Sequence, residues 1–264
     1  MGPAAMLASV TGPAEALLAA ALGADILDAK DPSAGALGRL PLETIAAIRS
    51  SVPGMPLSAT VGDLAPEPDA LADAVLAVAA EGVDFVKVGF FPGGSAAAAI
   101  ARLGTLKLYP KRLVGVLLAD QPLDLDLVER MAHARFAGVM IDTSSKSRGP
   151  LTRALPAAAL AEFVGRVRAG GMFAGLAGSL GLDDIGPLLK LEPDILGFRG
   201  ALCARADRTA AIDSRAFAAV RAAMPRGAAA LAQPARAPAR SSSAKPPPQT
   251  AKTATSASMP RRRA

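Results

Sequence analysis

Cysteine and histidine are almost missing from this chain, which has one of each, Cys203 and His133, among 264 residues. A single cysteine excludes an internal disulfide and any Cys-rich zinc or iron–sulfur site, and one histidine leaves nothing to complete a His/Cys metal site. No metal is expected. Long apolar runs are missing as well: no uncharged stretch reaches the roughly 18 residues of a membrane span. No basic segment precedes the first apolar stretch, which Glu15 and Asp25 bracket, so no signal peptide is read. A soluble, cytoplasmic protein without a membrane partner is the expectation.

Acidic residues are absent from the last forty positions. Pro225 to Ala264 contains Arg226, Arg236, Arg240, Lys245, Lys252 and the run Arg261–Arg263, and no Asp or Glu. Removing these eight from the 29 basic residues leaves 21 against 23 acidic ones in 1–224, a net charge of −2. The overall charge of +6 therefore belongs to the tail, and the main body gives no reason to expect a nucleic-acid partner. The tail is rich in Ala, Pro and Ser and has almost nothing large and apolar to bury. Its composition does not offset the entropy of ordering, so residues 225–264 are read as a disordered basic extension of a domain spanning 1–224.

That domain alternates short apolar runs with longer Ala/Leu-rich segments. Strands are expected at 6–10, 24–29, 56–61, 83–89, 112–118, 138–142, 172–176 and 194–198. Helices are expected at 13–22, 41–51, 67–81, 94–104, 124–135, 156–169, 181–190 and 213–224. Start signals support several of the helices, including Pro41 in a first turn and Asp183 and Asp184 in an opening turn. Eight strand-then-helix units predict a single α/β (β/α)8 barrel, the TIM-barrel architecture. An open doubly wound sheet is the rival, but it more usually has five to seven strands, and the first turn lacks the Gly-x-Gly-x-x-Gly dinucleotide pattern. Barrels of this kind often self-associate, and a homo-oligomer is expected.

Barrel active sites lie where strands end, so reactive residues should follow the apolar runs, and here they do. Asp28, Lys30 and Asp31 close the second run, Lys87 sits in the fourth, and Asp142 ends the sixth with Lys146 four residues on. Alternation along a strand turns Asp28 and Lys30 to the same side. Amines at a partly buried mouth, close to other ammonium groups, suit attack on a carbonyl to form a Schiff base. The plainer reading makes them structural ion pairs, Asp28 with Lys30 and Asp142 with Lys146. A phosphate cradle is expected from Gly178 and Ser179 after the seventh strand and from Arg199 and Gly200 after the eighth. The loop Asp31–Gly38 offers a second such cradle by the same logic. His133 ends a helix on the wrong side of a barrel for chemistry, and Cys203 reads as a small buried residue.

Five segments in order resemble a known family. They are Asp25–Pro32 with Gly35–Gly38, then Asp84–Gly89, Met140–Lys146, Leu176–Leu180 and Asp194–Gly200. They resemble the motifs of (5-formylfuran-3-yl)methyl phosphate synthase, also called 4-(hydroxymethyl)-2-furancarboxaldehyde-phosphate synthase, and the resemblance spans roughly 6–224. It implies a lyase that joins two triose phosphates, glyceraldehyde 3-phosphate partly isomerised to dihydroxyacetone phosphate, into a furan aldehyde phosphate. The product would feed methanofuran-type C1 carriers in methanogens or methylotrophic bacteria. By the same resemblance Lys30 is the Schiff-base lysine and Lys87 the proton acceptor. Asp28, Asp142 and Lys146 would assist proton transfers and eliminations, with no cofactor. A different class I aldolase, or a non-catalytic barrel that binds anionic partners through its tail, are the competing readings.

Overall fold

Parallel strands need a crossover between them, and each apolar run here is followed by a helix long enough to supply one. In the computed structural model, which describes residues 3–145 and 148–225, the eight strands close on themselves as a barrel. They are β1 (Ala5–Val10), β2 (Ile26–Ala29), β3 (Leu57–Thr60), β4 (Phe85–Gly89), β5 (Arg112–Leu118), β6 (Gly138–Asp142), β7 (Phe173–Leu176) and β8 (Ile195–Phe198). Each pairs in parallel with the next, and β1 with β8 completes the ring. Helices α1 (Pro13–Ala21), α2 (Leu42–Ser51), α3 (Pro68–Ala80), α4 (Ala96–Leu103) and α5 (Asp126–His133) cover the outside of the first half. They continue as α6 (Leu151–Ala154), α7 (Ala157–Ala169), α8 (Leu182–Leu189) and α9 (Ser214–Ala223). The expected elements all form, usually one or two residues shorter. Short α6 and the 3₁₀ turns Gly200–Leu202 and Ala204–Ala206 are additional among the described residues.

Local sequence explains the helix starts. Pro13 and Pro68 occupy first turns, where a missing N–H costs nothing. Asp213 caps α9 by accepting from the N–H groups of Arg215 and Ala216 at 3.0 and 2.8 Å. Pro41, expected inside the first turn of α2, lies one residue earlier, at the cap.

Alternation along the strands produces two apolar clusters. Outward residues such as Leu27, Val86, Val139 and Leu196 pack against the helices. Inward residues fill the barrel with Ala5, Ile26, Phe85, Val114, Ala137 and Ile195 at its lower end. There Phe85 and Phe173 meet edge to face, 5.8 Å between centroids, and the Arg112 guanidinium lies 4.3 Å above Phe85. The bottom is therefore plugged, and polar inward residues are confined to the strand ends. Among the described residues no helix is long and apolar enough to cross a membrane. The basic tail from Arg226 onward, and the reading of 225–264 as a separate segment, lie almost wholly outside the described residues.

Candidate active site

The site starts from register. Ser9 pairs with Asp28, Asp28 with Ser58, and Thr60 with Lys87. Adjacent strands thus bring one hydroxyl, one carboxylate, a second hydroxyl and one amine to the upper barrel interior. Asp28 is fully buried, and Lys87 and Lys30 are 3% and 6% exposed. Lys87 Nζ donates to Asp28 Oδ2 at 2.9 Å, and Ser58 Oγ donates to Oδ1 at 2.5 Å. Ser9 Oγ adds a longer bond to Oδ2, 3.3 Å. Burial by itself would raise the Asp28 pKa, but Lys87, Lys30 and the Ser58 hydroxyl outweigh it and hold the carboxyl below its ordinary range. Asp28 is therefore a carboxylate at neutral pH.

Lys30 turns to the other carboxylate. Its Nζ stands 3.5 Å from Asp142 Oδ2, and Thr143 N–H donates to Asp142 Oδ1 at 2.7 Å. The ion pairs thus run across the barrel, Asp28 to Lys87 and Lys30 to Asp142, and not along the chain from Asp28 to Lys30. Lys146 lies outside the described residues. The loop leading to it is anchored by Asp120, just beyond β5. Asp120 accepts from Ser144 N and Ser145 N at 2.6 and 2.7 Å and from Ser144 Oγ at 2.9 Å.

Ser9, Asp28, Lys30, Lys87 and Asp142 open into one cavity of about 410 Å³, also lined by Gly178, Ser179, Leu180, Gly200, Ala201 and Arg208. That size is within the ~300–1,000 Å³ usual for small-molecule sites. Gly178 has φ +115° and Ser179 φ 49°, so the backbone after β7 runs left-handed into α8. The N–H groups of Ser179, Leu180, Gly200 and Ala201 have no partner among the described residues. Such amides at a helix entrance can accept an anion. Gly178, Ser179 and Gly200 are therefore placed together as the sequence predicts.

Arg199 is placed differently. It lines the cavity, but all five of its N–H donors are taken. Nη1 and Nη2 grip Glu15 at 2.6 and 3.2 Å, and the rest go to the carbonyls of Ser9, Arg208 and Ala210. No donor is left for a phosphate, so its charge is balanced within the fold. The loop Asp31–Gly38 is not an amide cradle either. Ala36 N and Leu37 N donate to Asp63 at 2.7 and 2.6 Å, and Ser33 N donates to Asp31. Leu37, 1% exposed, joins the inward cluster above Gly89. Through Leu37 the loop packs an apolar side chain against Gly89 at the end of β4.

Asp63, Asp120 and Arg208 are the residues missed by sequence reasoning. The two aspartates follow strand ends, the same signal that singled out the lysines. Arg208, ten positions past β8, carries no such signal. His133, at the end of α5, contacts the Glu129 carbonyl. Cys203 is buried, donates to the Arg199 carbonyl, and has its thiol pKa raised by burial, so it is no poised nucleophile. Among the described residues no group of three or more His, Cys, Asp or Glu side chains forms a metal-like cluster.

A closed (β/α)8 barrel with buried amines and carboxylates at its C-terminal mouth defines the class: an enzyme of the TIM-barrel type. Solved barrels share the fold, including 3-hexulose-6-phosphate synthase, with TM-score 0.60 and 17% identity over 84% of this chain and all of that one. Phosphoribosyl anthranilate isomerase of Thermus thermophilus also has TM-score 0.60, with 18% identity over 83% of this chain and 97% of that one. Residues 6–221 match the family model described as 4-HFC-P synthase. A provisionally named (5-formylfuran-3-yl)methyl phosphate synthase of Methylorubrum extorquens is 47% identical over 209 residues, 79% of this chain and 86% of that protein. The (5-formylfuran-3-yl)methyl phosphate synthase of Methanopyrus kandleri is 36% identical over 77% of this chain and 91% of that protein. The chain belongs to the 4-HFC-P synthase family.

Proposed function

We propose that the protein is a lyase that joins two triose phosphates into (5-formylfuran-3-yl)methyl phosphate through a Schiff base on Lys30. The observation that carries this reading is the pair of crossed lysine–aspartate contacts, Lys87–Asp28 and Lys30–Asp142, above a cavity rimmed by open amides. A Schiff base needs an amine in reach of a carbonyl and neighbours that move protons, and both pairs provide these within one mouth. Lys30 hands its ammonium proton to Asp142 and the free amine attacks the carbonyl; the proton then goes to the departing hydroxyl, and water leaves the iminium. The iminium acidifies the adjacent carbon, whose proton passes to Lys87 in its neutral amine form, with Asp28 holding that amine in place. The resulting enamine carbon attacks the aldehyde of the second triose phosphate. Asp142, hydrogen-bonded through Thr143 N–H, and Lys146 are assigned to the later proton transfers. Atom balance over two glyceraldehyde 3-phosphates requires loss of one phosphate and two waters, a sequence of acid/base steps with no net redox change.

The test is mass spectrometry of products from glyceraldehyde 3-phosphate alone, with phosphate release measured in parallel. A furan aldehyde phosphate and one inorganic phosphate per product are expected, and Lys30→Ala should abolish both. An open-chain sugar phosphate formed without phosphate release would replace this reading with a simple class I aldolase. Near-normal turnover by Lys30→Ala would remove the Schiff base from it.

A further inference from the structure

One basic side chain in the mouth is used neither by the lysine chemistry nor by the amide rim. Arg208 is half-buried and lines the same cavity as Lys30, Asp142 and Ser179. Among the described residues the other basic side chains of this lining each face a carboxylate: Lys87 meets Asp28, Lys30 meets Asp142 and Arg199 meets Glu15. Among the described residues Arg208 makes one side-chain hydrogen bond, from Nη2 to the Gly35 carbonyl at 3.0 Å, and no ion pair within 4 Å. A guanidinium has five N–H donors in a planar fork suited to phosphate. Burial draws its pKa down and nearby Arg199 adds to the lowering, against the attraction of Asp142, Asp63 and Asp31. It remains charged, but the carboxylates around it do not fully offset its desolvation.

Its aim is set by the loop it touches. Gly35 has φ +120°, and a Cβ there would collide with the Asp63 carboxylate. Asp63 holds the next two amides, and Thr60 Oγ1 donates to the Gly38 carbonyl at 2.9 Å. The carbonyl that holds Arg208 is therefore fixed from two sides.

We infer that Arg208 is the cation that recognises a phosphate monoester at the barrel mouth, oriented by a loop that Asp63 clasps. This rests on the phosphate-ester substrate proposed above and assigns the residue that would select it. The role left vacant by the fully occupied Arg199 falls to Arg208.

Imine formation at Lys30, trapped with cyanoborohydride and read as intact mass, tests the assignment with glyceraldehyde 3-phosphate and with glyceraldehyde. Arg208→Gln keeps a polar side chain of lower reach and removes the charge. It should raise the half-saturating concentration of the phosphate ester about 10- to 100-fold, the weight of a charge-assisted phosphate contact, and leave glyceraldehyde unchanged. Arg208→Lys should recover part of the selectivity. Parallel changes for both aldehydes, or none, would reduce Arg208 to a loop staple and overturn the inference. The rise in thermal midpoint given by inorganic phosphate supplies a readout independent of the chemistry. It should be present in the unaltered protein and largely lost in Arg208→Gln, and equal shifts in both would overturn the inference. Absence of any trapped adduct in the unaltered protein would count against the Schiff base, while the phosphate shift would still decide Arg208.

Discussion

Glu15 shows how much one carboxylate can organise. It accepts from Arg199, from both Thr11 N and Oγ1 at 2.9 Å, and from Ile212 N at 3.2 Å, tying α1 to the chain after β8. Burial alone would raise its pKa, but Arg199 and the Thr11 donors hold it below the ordinary 4.5. The folded protein therefore binds fewer protons here than the unfolded chain. The stabilisation is full above 4.5 and is lost as pH falls through the lower folded value. Glu15→Gln should cost about 2–4 kcal/mol at pH 7, because a buried guanidinium loses its counter-charge. Denaturant melts from pH 7 downward should show the two proteins converging in acid; a constant gap would mean that shape, not charge, holds this junction.

The β2–α2 loop is decided at the level of the element. Its conformation depends on Gly35, whose positive φ no L side chain adopts easily and whose missing Cβ leaves room for the Asp63 carboxylate. Gly35→Ala should displace Leu37 from its seat above Gly89 and release the carbonyl that orients Arg208. Stability should fall by about 1–3 kcal/mol, and kcat/KM should fall at least about tenfold. Unchanged kinetics and an unchanged melt would show that the loop does not depend on this clasp. The strands and helices themselves were legible in the sequence, because short continuous apolar runs bounded by Pro, Gly and Asp, each followed by a helical segment, leave few alternatives to a parallel sheet. The loops were not. The open amides after β7 and β8 and the occupied ones after β2 differ only in what faces them, Asp63 in the second case, and that partner lies 26 or 27 residues away.

For the whole molecule, the charge segregation leads to a deletion. The barrel closes within the described residues, β1 on β8 with α9 packed after it, and the excess of basic charge lies beyond Pro225. A chain ending at Pro225 should keep full turnover of glyceraldehyde 3-phosphate and the thermal midpoint of the full chain within about 1 °C, far less than the ~2–4 °C that 1 kcal/mol shifts in a domain of this size. Activity lost with an unchanged melt would restore the reading in which the tail carries the function.

Sequence alone determined the (β/α)8 count and the strand ends, and it singled out Asp28, Lys30, Lys87, Asp142 and Lys146 as candidates, because strand alternation and the end-of-strand rule are local. It also marked the turns at Gly178–Ser179 and Arg199–Gly200 as a candidate phosphate cradle, since glycine marks a backbone that must turn. Tertiary structure alone decided who pairs with whom. The curved barrel turns inward side chains of β2 toward those of β4 and β6 across its interior, so Asp28 takes Lys87, and Lys30 takes Asp142. It also bound Arg199 to Glu15 across 184 positions and brought Arg208 to Gly35 across 173. A charged side chain settles where its desolvation is best compensated, and that depends on neighbours that only the closed barrel supplies.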